Sequence, residues 1–385
     1  MKYQWLVVST GFALFSMFFG SGNLVFPIAV GRESEGHYLF AALGIIVTGV
    51  IVPFLGVLGM MLYKGDIYHF FSCFGKRGTL VFSFLALGLM GPFGVLARCL
   101  TVAHGALLLV LPNASLPLSS MVMCLVIFFL AANKNKIVTT LGSVLTPFLL
   151  LSIAVIAFYG LNQGSFPETT ALSGLGALTN GFFQGYQMMD LLAAFFFSQF
   201  IIKYLTNKLL ASQLPVDNGT DHLLNHFYKA SLIGAGILSA VYLALVLLGW
   251  MYSPLLAETP PQEMLGEIAL ASLGKVAAPC VALAVLFACL TTAIVLTSLF
   301  ADFLRAEVSD KLGNRQALAC TLGIGFVVST FDFAAIAKFL GPVLEAVYPA
   351  LIVLTIVNIA GKLLGVKSSS HWPFTLTLAA KLCFV

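Results

Sequence analysis

The sequence predicts an all-α integral membrane protein of ten or eleven transmembrane helices, built as two inverted repeats of five with helices 1 and 6 broken. Three observations predict it. Of 385 residues, 60% are hydrophobic and only 9% charged, against about 25% charged in soluble domains. Apolar runs of bilayer-crossing length recur along the whole chain. Two of them, half a chain apart, are interrupted by glycines and polar residues.

In order, the runs are 5–30, 38–62, 79–111, 117–132, 140–161, 180–203, 229–253, 276–304, 315–331 and 335–360. A helix needs roughly 20 apolar residues to cross the hydrocarbon core, and 117–132 is short by that measure. The run 79–111 is long enough to tilt or to kink at Gly91-Pro92. A last piece, 372–384, falls short of a full span and leaves the eleventh helix open. The first run follows Lys2 as in a secretory leader, but it continues past Pro27 without a small-residue cleavage site and reads as a retained span.

Positive loops stay cytoplasmic. With the N-terminus inside, Arg32, Lys275, Lys338 and Lys381 lie outside and Arg98 within a span, while the remaining fourteen of nineteen Lys and Arg face the cytoplasm. The whole chain, 1–385, reads as a single polytopic domain with repeats of about 5–161 and 180–360. The longest cytoplasmic loop is 204–228. The outer loop 254–275, with Pro260-Pro261 and a pattern over Glu263–Leu273, predicts a short surface helix.

Several classes drop out. A dispersed net charge of +4 gives no footprint for nucleic acid. Seven cysteines show no CxxC spacing and sit mostly in apolar runs, as small hydrophobes do. His222 and His226 are four apart without the adjoining Glu of a zinc-enzyme helix. Asn113-Ala-Ser and Asn218-Gly-Thr match only the short glycosylation pattern. There is no phosphate-cradling loop and no cluster of nucleophile, base and metal ligands, so neither an enzyme nor a cofactor is expected.

The informative stretches are the interruptions. In hydrocarbon every backbone N–H and C=O must be paired, so a break survives only where it is buried in protein or lines a cavity. FFGSGNLVFP, 18–27, places Gly20, Ser21, Gly22 and Asn23 in the first run and Pro27 just after. Glycines also serve close helix packing, but packing alone does not call for Asn followed by Pro. NGFFQGYQMMD, 180–190, opens the sixth run with Gly181, Gly185, Gln184, Gln187 and Asp190. Five spans per half make the second half run inverted. Paired broken helices in such halves point to a carrier's midplane site, where a half-helix N-terminus receives a carboxylate and unwound carbonyls a small cation.

Ionisable groups at membrane depth are costly and are functional candidates by default. Asp190 can pair with a cation, orient the broken helix, face a substrate ammonium or cap the second half-helix. Arg98 balances a carboxylate, Asp190 or Glu345, or lines the pathway. Glu345, in VLEAVYP, lies beside a helix end near Pro349. His104 reads as packing. Thr291 and Thr292, with the carbonyl of Ala288 one turn earlier, present three oxygens to one cation or simply bond within their helix.

FFGSGNLVFP, NGFFQGYQMMDLLAAFFF, ACLTTAIVLTS and FLGPVLEAVYPALIVL resemble the bacterial branched-chain amino acid:cation symporters, the BrnQ-type carriers, over about residues 10–360. The resemblance implies the LeuT-type fold, with substrate between broken helices 1 and 6. It implies a substrate carboxylate at the backbone of Ser21 and Gly22, with Asn23 serving a second cation or capping the break. Phe182, Phe183 and Tyr186 would border an apolar pocket. A Na⁺ site would take carbonyls near Ser16 and Phe19, the carbonyl of Ala288 and the hydroxyls of Thr291 and Thr292. Asp190, Arg98 and Glu345 become candidates for coupling or gating. Such carriers usually have twelve spans, more than this chain, and Glu345 stands where an apolar residue is expected.

The expected activity is import of leucine, isoleucine, valine or methionine by Na⁺ symport across a bacterial cytoplasmic (inner) membrane, with the N-terminus inside. A proton-coupled symporter, or an uncoupled exchanger or channel, is the alternative. The expected partners are the amino acid and the lipid bilayer; the oligomeric state is open.

Overall fold

The computed structural model describes residues 2–132, 137–167, 173–211, 221–275, 278–309, 311–365 and 371–384. Every regular element among them is helical. The first run becomes α1 (Lys2–Phe18) and α2 (Ser21–Arg32), bent by 75° where Phe19 and Gly20 leave the helix. The second is α3 (Tyr38–Ile46) and α4 (Val52–Leu62), joined by a π-turn over Val47–Ile51. A short α5 (Ile67–Phe70) leads to α6 (Gly75–Met90) and α7 (Val95–Leu108), separated by a turn at 91–94, so the kink lies where Gly91-Pro92 places it. Next come α8 (Leu116–Ala132) and α9 (Ile137–Gln163).

The sixth run differs from expectation. It begins six residues earlier, as α10 (Gly174–Gln187), and resumes as α11 (Asp190–Ala211). The break is therefore at Met188-Met189, the far end of the polar motif rather than its opening. Gly181 and Gly185 do not unwind the helix because they pack it. A Cβ on Gly181 would press on the Ala41 carbonyl and one on Gly185 on Thr48 Oγ1, so α10 lies backbone to backbone on α3 and the π-turn. Met189 makes the turn in the left-handed region, φ 62°.

α12 (Asp221–Met251) starts well before residue 229, so much of the expected loop 204–228 is helical; residues 212–220, with Asn218, lie outside the described residues. The loop 254–275 carries the short helix expected of it, a 3₁₀ turn Pro261–Glu263 running into α13 (Met264–Leu273). Then follow α14 (Ala278–Phe303), α15 (Asn314–Ser329), α16 (Asp332–Leu364) and α17 (His371–Phe384). Pro342 and Pro349 sit inside an unbroken α16, so no helix end lies beside Glu345.

Five helical stretches among the described residues are long and apolar enough to cross a bilayer alone, and the bent α1–α2 pair makes a sixth. Phe129, Leu151, Phe158 and Phe339 are more than half exposed, as suits a molecule whose outer solvent is lipid.

The packing has a pattern. α1 and α2 both lie along α12; α11 lies along α4 and α10 along α3; α7 lies along α14. Glycines set the closest of these approaches. A Cβ on Gly31 would meet the Val246 carbonyl and one on Gly249 the Ile28 carbonyl, as Gly44 meets that of Leu178 and Gly181 that of Ala41.

Candidate functional site

The first break is closed by its own side chain. Gly20 is extended (φ −118°, ψ −165°), which turns its N–H away from α1, and that N–H donates to Asn23 Oδ1 at 2.9 Å. The Asn23 amide then points its Nδ2 outward, where it donates to Asp190 Oδ2 at 2.7 Å and to the Tyr242 hydroxyl. Tyr242 in turn donates to Asp190 Oδ2 at 3.4 Å. A backbone donor on one side and a carboxylate on the other fix the orientation of the amide. All three side chains are at most 5% exposed.

Asn23 thus joins the two breaks through a buried hydrogen bond, a class that contributes about 0.5–1.5 kcal/mol. Asp190 is the first residue of α11, where a negative charge complements the helix dipole. It links the two broken helices through Asn23.

Arg98 pairs with neither Asp190 nor Glu345. Its Nη1 donates to the Gln187 carbonyl at 2.5 Å and its Nη2 to Gln187 Oε1 at 2.7 Å. Gln187 ends α10, so the guanidinium sits on the negative end of that half-helix. The rings of Phe26 and Phe333 lie 5.2 and 5.6 Å from its central carbon, a cation–π arrangement that contributes about 0.5–2 kcal/mol. Gln187 Nε2 reaches the Ala337 carbonyl at 3.3 Å, tying the second break to α16.

Around the first break, Ser21 Oγ lies 3.2 Å from Cys99 Sγ. A Cβ on Gly22 would stand 3.6 Å from Met188 Cα, and one on Gly20 3.4 Å from Thr292 Oγ1. The Thr291 and Thr292 hydroxyls both donate to the Ala288 carbonyl at 3.0 Å, within α14, with a second bond from Thr291 to Phe287 at 3.1 Å. The three oxygens converge, and they do so beside the break. Ser16, in the last turn of α1, and Phe19, stacked on Phe15 at 5.0 Å, bracket the end of that helix.

Phe182, Phe183 and Tyr186 form an edge-to-face cluster with centroids 5.3–6.0 Å apart, and Tyr186 packs on Tyr348 at 4.9 Å. The Phe182 carbonyl accepts from Thr48 at 2.9 Å. Glu345 is exposed, midway along α16, and its charge acts on Tyr186 of this cluster.

Sequence reasoning missed Tyr242, Gln187 as the acceptor for Arg98, and Cys99. A signal existed for Tyr242, since a tyrosine alone in an apolar span must find a partner for its hydroxyl.

Two broken helices meet inside an all-helical bundle, and the fold is that of the LeuT-type transporters. The inward-facing conformation of Mhp1 superposes with TM-score 0.64 at 14% identity, covering 91% of this chain and 76% of that one. A manganese transporter of Eremococcus coleocola gives 0.56 at 13% identity over 98% and 85%. The chain belongs to the branched-chain amino acid transport protein family, whose model matches residues 4–384. Proteins named as branched-chain amino acid carriers in Staphylococcus epidermidis and Staphylococcus aureus are 26% and 25% identical, over 95% and 96% of this chain and 84% and 85% of theirs. It is thus a multi-pass membrane transporter with an amino-acid substrate.

Proposed function

We propose that the protein imports leucine, isoleucine, valine or methionine by symport with Na⁺ across a bacterial inner membrane, its N-terminus cytoplasmic. The carrying observation is the position of Gly20 against Thr292, which brings the carbonyl end of α1 beside the oxygens of Ala288, Thr291 and Thr292. Na⁺ held there, with carbonyls near Ser16 and Phe19, ties α1 to α14. The α2 N-terminus at Ser21 and Gly22, with Asn23 behind it, takes the substrate carboxylate. Phe182, Phe183 and Tyr186 border the apolar side chain.

The five-plus-five inverted repeat belongs to this reading. Exchanging helices 1 and 6, 2 and 7, and 3 and 8 returns the same contacts: α1 and α2 on α12 become α10 and α11 on α3 and α4, and α7 on α14 maps onto itself. Rocking of helices 1, 2, 6 and 7 against the rest then alternates access, provided that Na⁺ and substrate bind the two states unequally.

One observation favours a proton-driven alternative, the buried Asp190 whose hydrogen-bond partners are all neutral. The deciding experiment is radiolabelled leucine uptake into proteoliposomes with and without an inward Na⁺ gradient at fixed pH. Accumulation above equilibrium only with Na⁺ supports symport. Accumulation driven by a pH gradient instead supports Asp190 as a proton carrier, and equal, non-concentrative uptake an exchanger or channel. No flux through folded protein overturns the substrate assignment.

A further inference from the structure

We infer that Arg98 is the side chain that binds the carboxylate of the carried amino acid, closing the unengaged edge of its guanidinium on it beside the first turn of α2. The inference rests on reading the chain as an amino-acid carrier and names a residue for that site.

Arg98 is 1% exposed, within α7. A guanidinium has five N–H donors. One bond each from Nη1 and Nη2 goes to Gln187, and Nε has no partner. Among the described residues no carboxylate pairs with it. The α10 carbonyl end supplies only about half a negative charge against a whole positive one.

A buried charge so poorly balanced is tolerated where a partner arrives to complete it. An amino acid brings one, and the planar fork of arginine matches a carboxylate bidentately where lysine does not. The position fits. Ser21 touches Cys99, the residue after Arg98, and Gly22 lies against Met188, the residue after Gln187. The guanidinium and the positive end of α2 therefore stand about one locus, with Phe26 and Phe333 as its apolar wall.

The test is binding of leucine and of leucinamide, which lacks the carboxylate, to the purified full-length protein with Na⁺ present. Arg98→Gln should weaken leucine about 100-fold while changing leucinamide by less than about twofold, bringing the two ligands level. Arg98→Lys, which keeps charge but loses the fork, should fall between. Unchanged leucine affinity in Arg98→Gln, or equal losses for both ligands, overturns the inference; equal losses mark a purely structural arginine. Should the variants not fold, phenylglyoxal modification of wild-type Arg98, read by peptide mass spectrometry, decides: leucine protects and leucinamide does not. Equal protection by both, or by neither, overturns it. Wild-type protein that binds no branched-chain amino acid fails the carrier reading first, before any variant is compared, and the inference falls with it.

Discussion

The two helix breaks are written in similar residues but finished differently. At the second, the carbonyl end of α10 is met by Arg98 and the amide end of α11 opens with Asp190. At the first, α1 has no base in its last turn and α2 no acid in its first. Each helix end carries about half a charge; the second break has an ionisable side chain at both ends and the first at neither. A bare amide end attracts an anion and a bare carbonyl end a cation. In the proposed function, substrate and ion bind at the first break, with the second as the frame to which Asn23 fastens it.

The frame is where damage should be greatest. Gly181→Val forces a side chain into the Ala41 backbone, where nothing can yield, and should cost about 3 kcal/mol or more. The expected outcome is loss of the monodisperse peak in size-exclusion chromatography; a variant that elutes and melts like wild type removes the clamp of α10 on α3. Next, Asp190→Ala strands the Asn23 amide and the Tyr242 hydroxyl, at about 3 kcal/mol. Both melting temperature and leucine uptake should fall, whereas Asp190→Asn keeps the fold and isolates the charge. Full uptake by Asp190→Asn would mean that the second break needs no anion.

The bare break should respond in function more than in stability. Thr292→Ala should raise the Na⁺ concentration for half-maximal uptake about tenfold, the equivalent of about 1.4 kcal/mol, and leave the rate at saturating Na⁺ near wild type. An unaltered Na⁺ response would remove the cation from α1 and α14. Tyr242→Phe deletes one hydroxyl from the link between the breaks and should cost about 1 kcal/mol by thermal melting.

The smallest effect lies outside both breaks. Burial, then the neighbouring Glu267, holds the Glu263 carboxyl above its ordinary 4.5. A carboxyl raised in the folded state costs nothing below its unfolded pKa and progressively more stability as pH rises toward the folded one. Glu263→Gln should therefore melt higher than wild type near pH 7 and match it near pH 4. A uniform shift at both would assign the change to packing instead.

Much of this was legible in the sequence, because bilayer thickness and backbone pairing are strict. Run length located the spans, Gly20 to Asn23 the first break, and Gly91-Pro92 the kink. What the sequence hid was partnership. Asn23 and Tyr242 are 219 positions apart, and nothing local to either names the other. Arg98 was expected to seek a carboxylate, yet a half-helix end offers a partner that has no side chain of its own. The second break was misplaced because Gly181 and Gly185 looked like unwinding residues, when their role is to admit α3.

The π-turn at 47–51 has a mechanical consequence. It lies level with the second break, Gly49 standing against Met188 and Thr48 against Gly185. The pieces α3 and α10 are locked together, as are α4 and α11, while the first break is splinted by the continuous α12. Two flexures at one height, each between stiff paired rods, form a common axis. Bending there swings α4 and α11 as a single lever, without unzipping either pair.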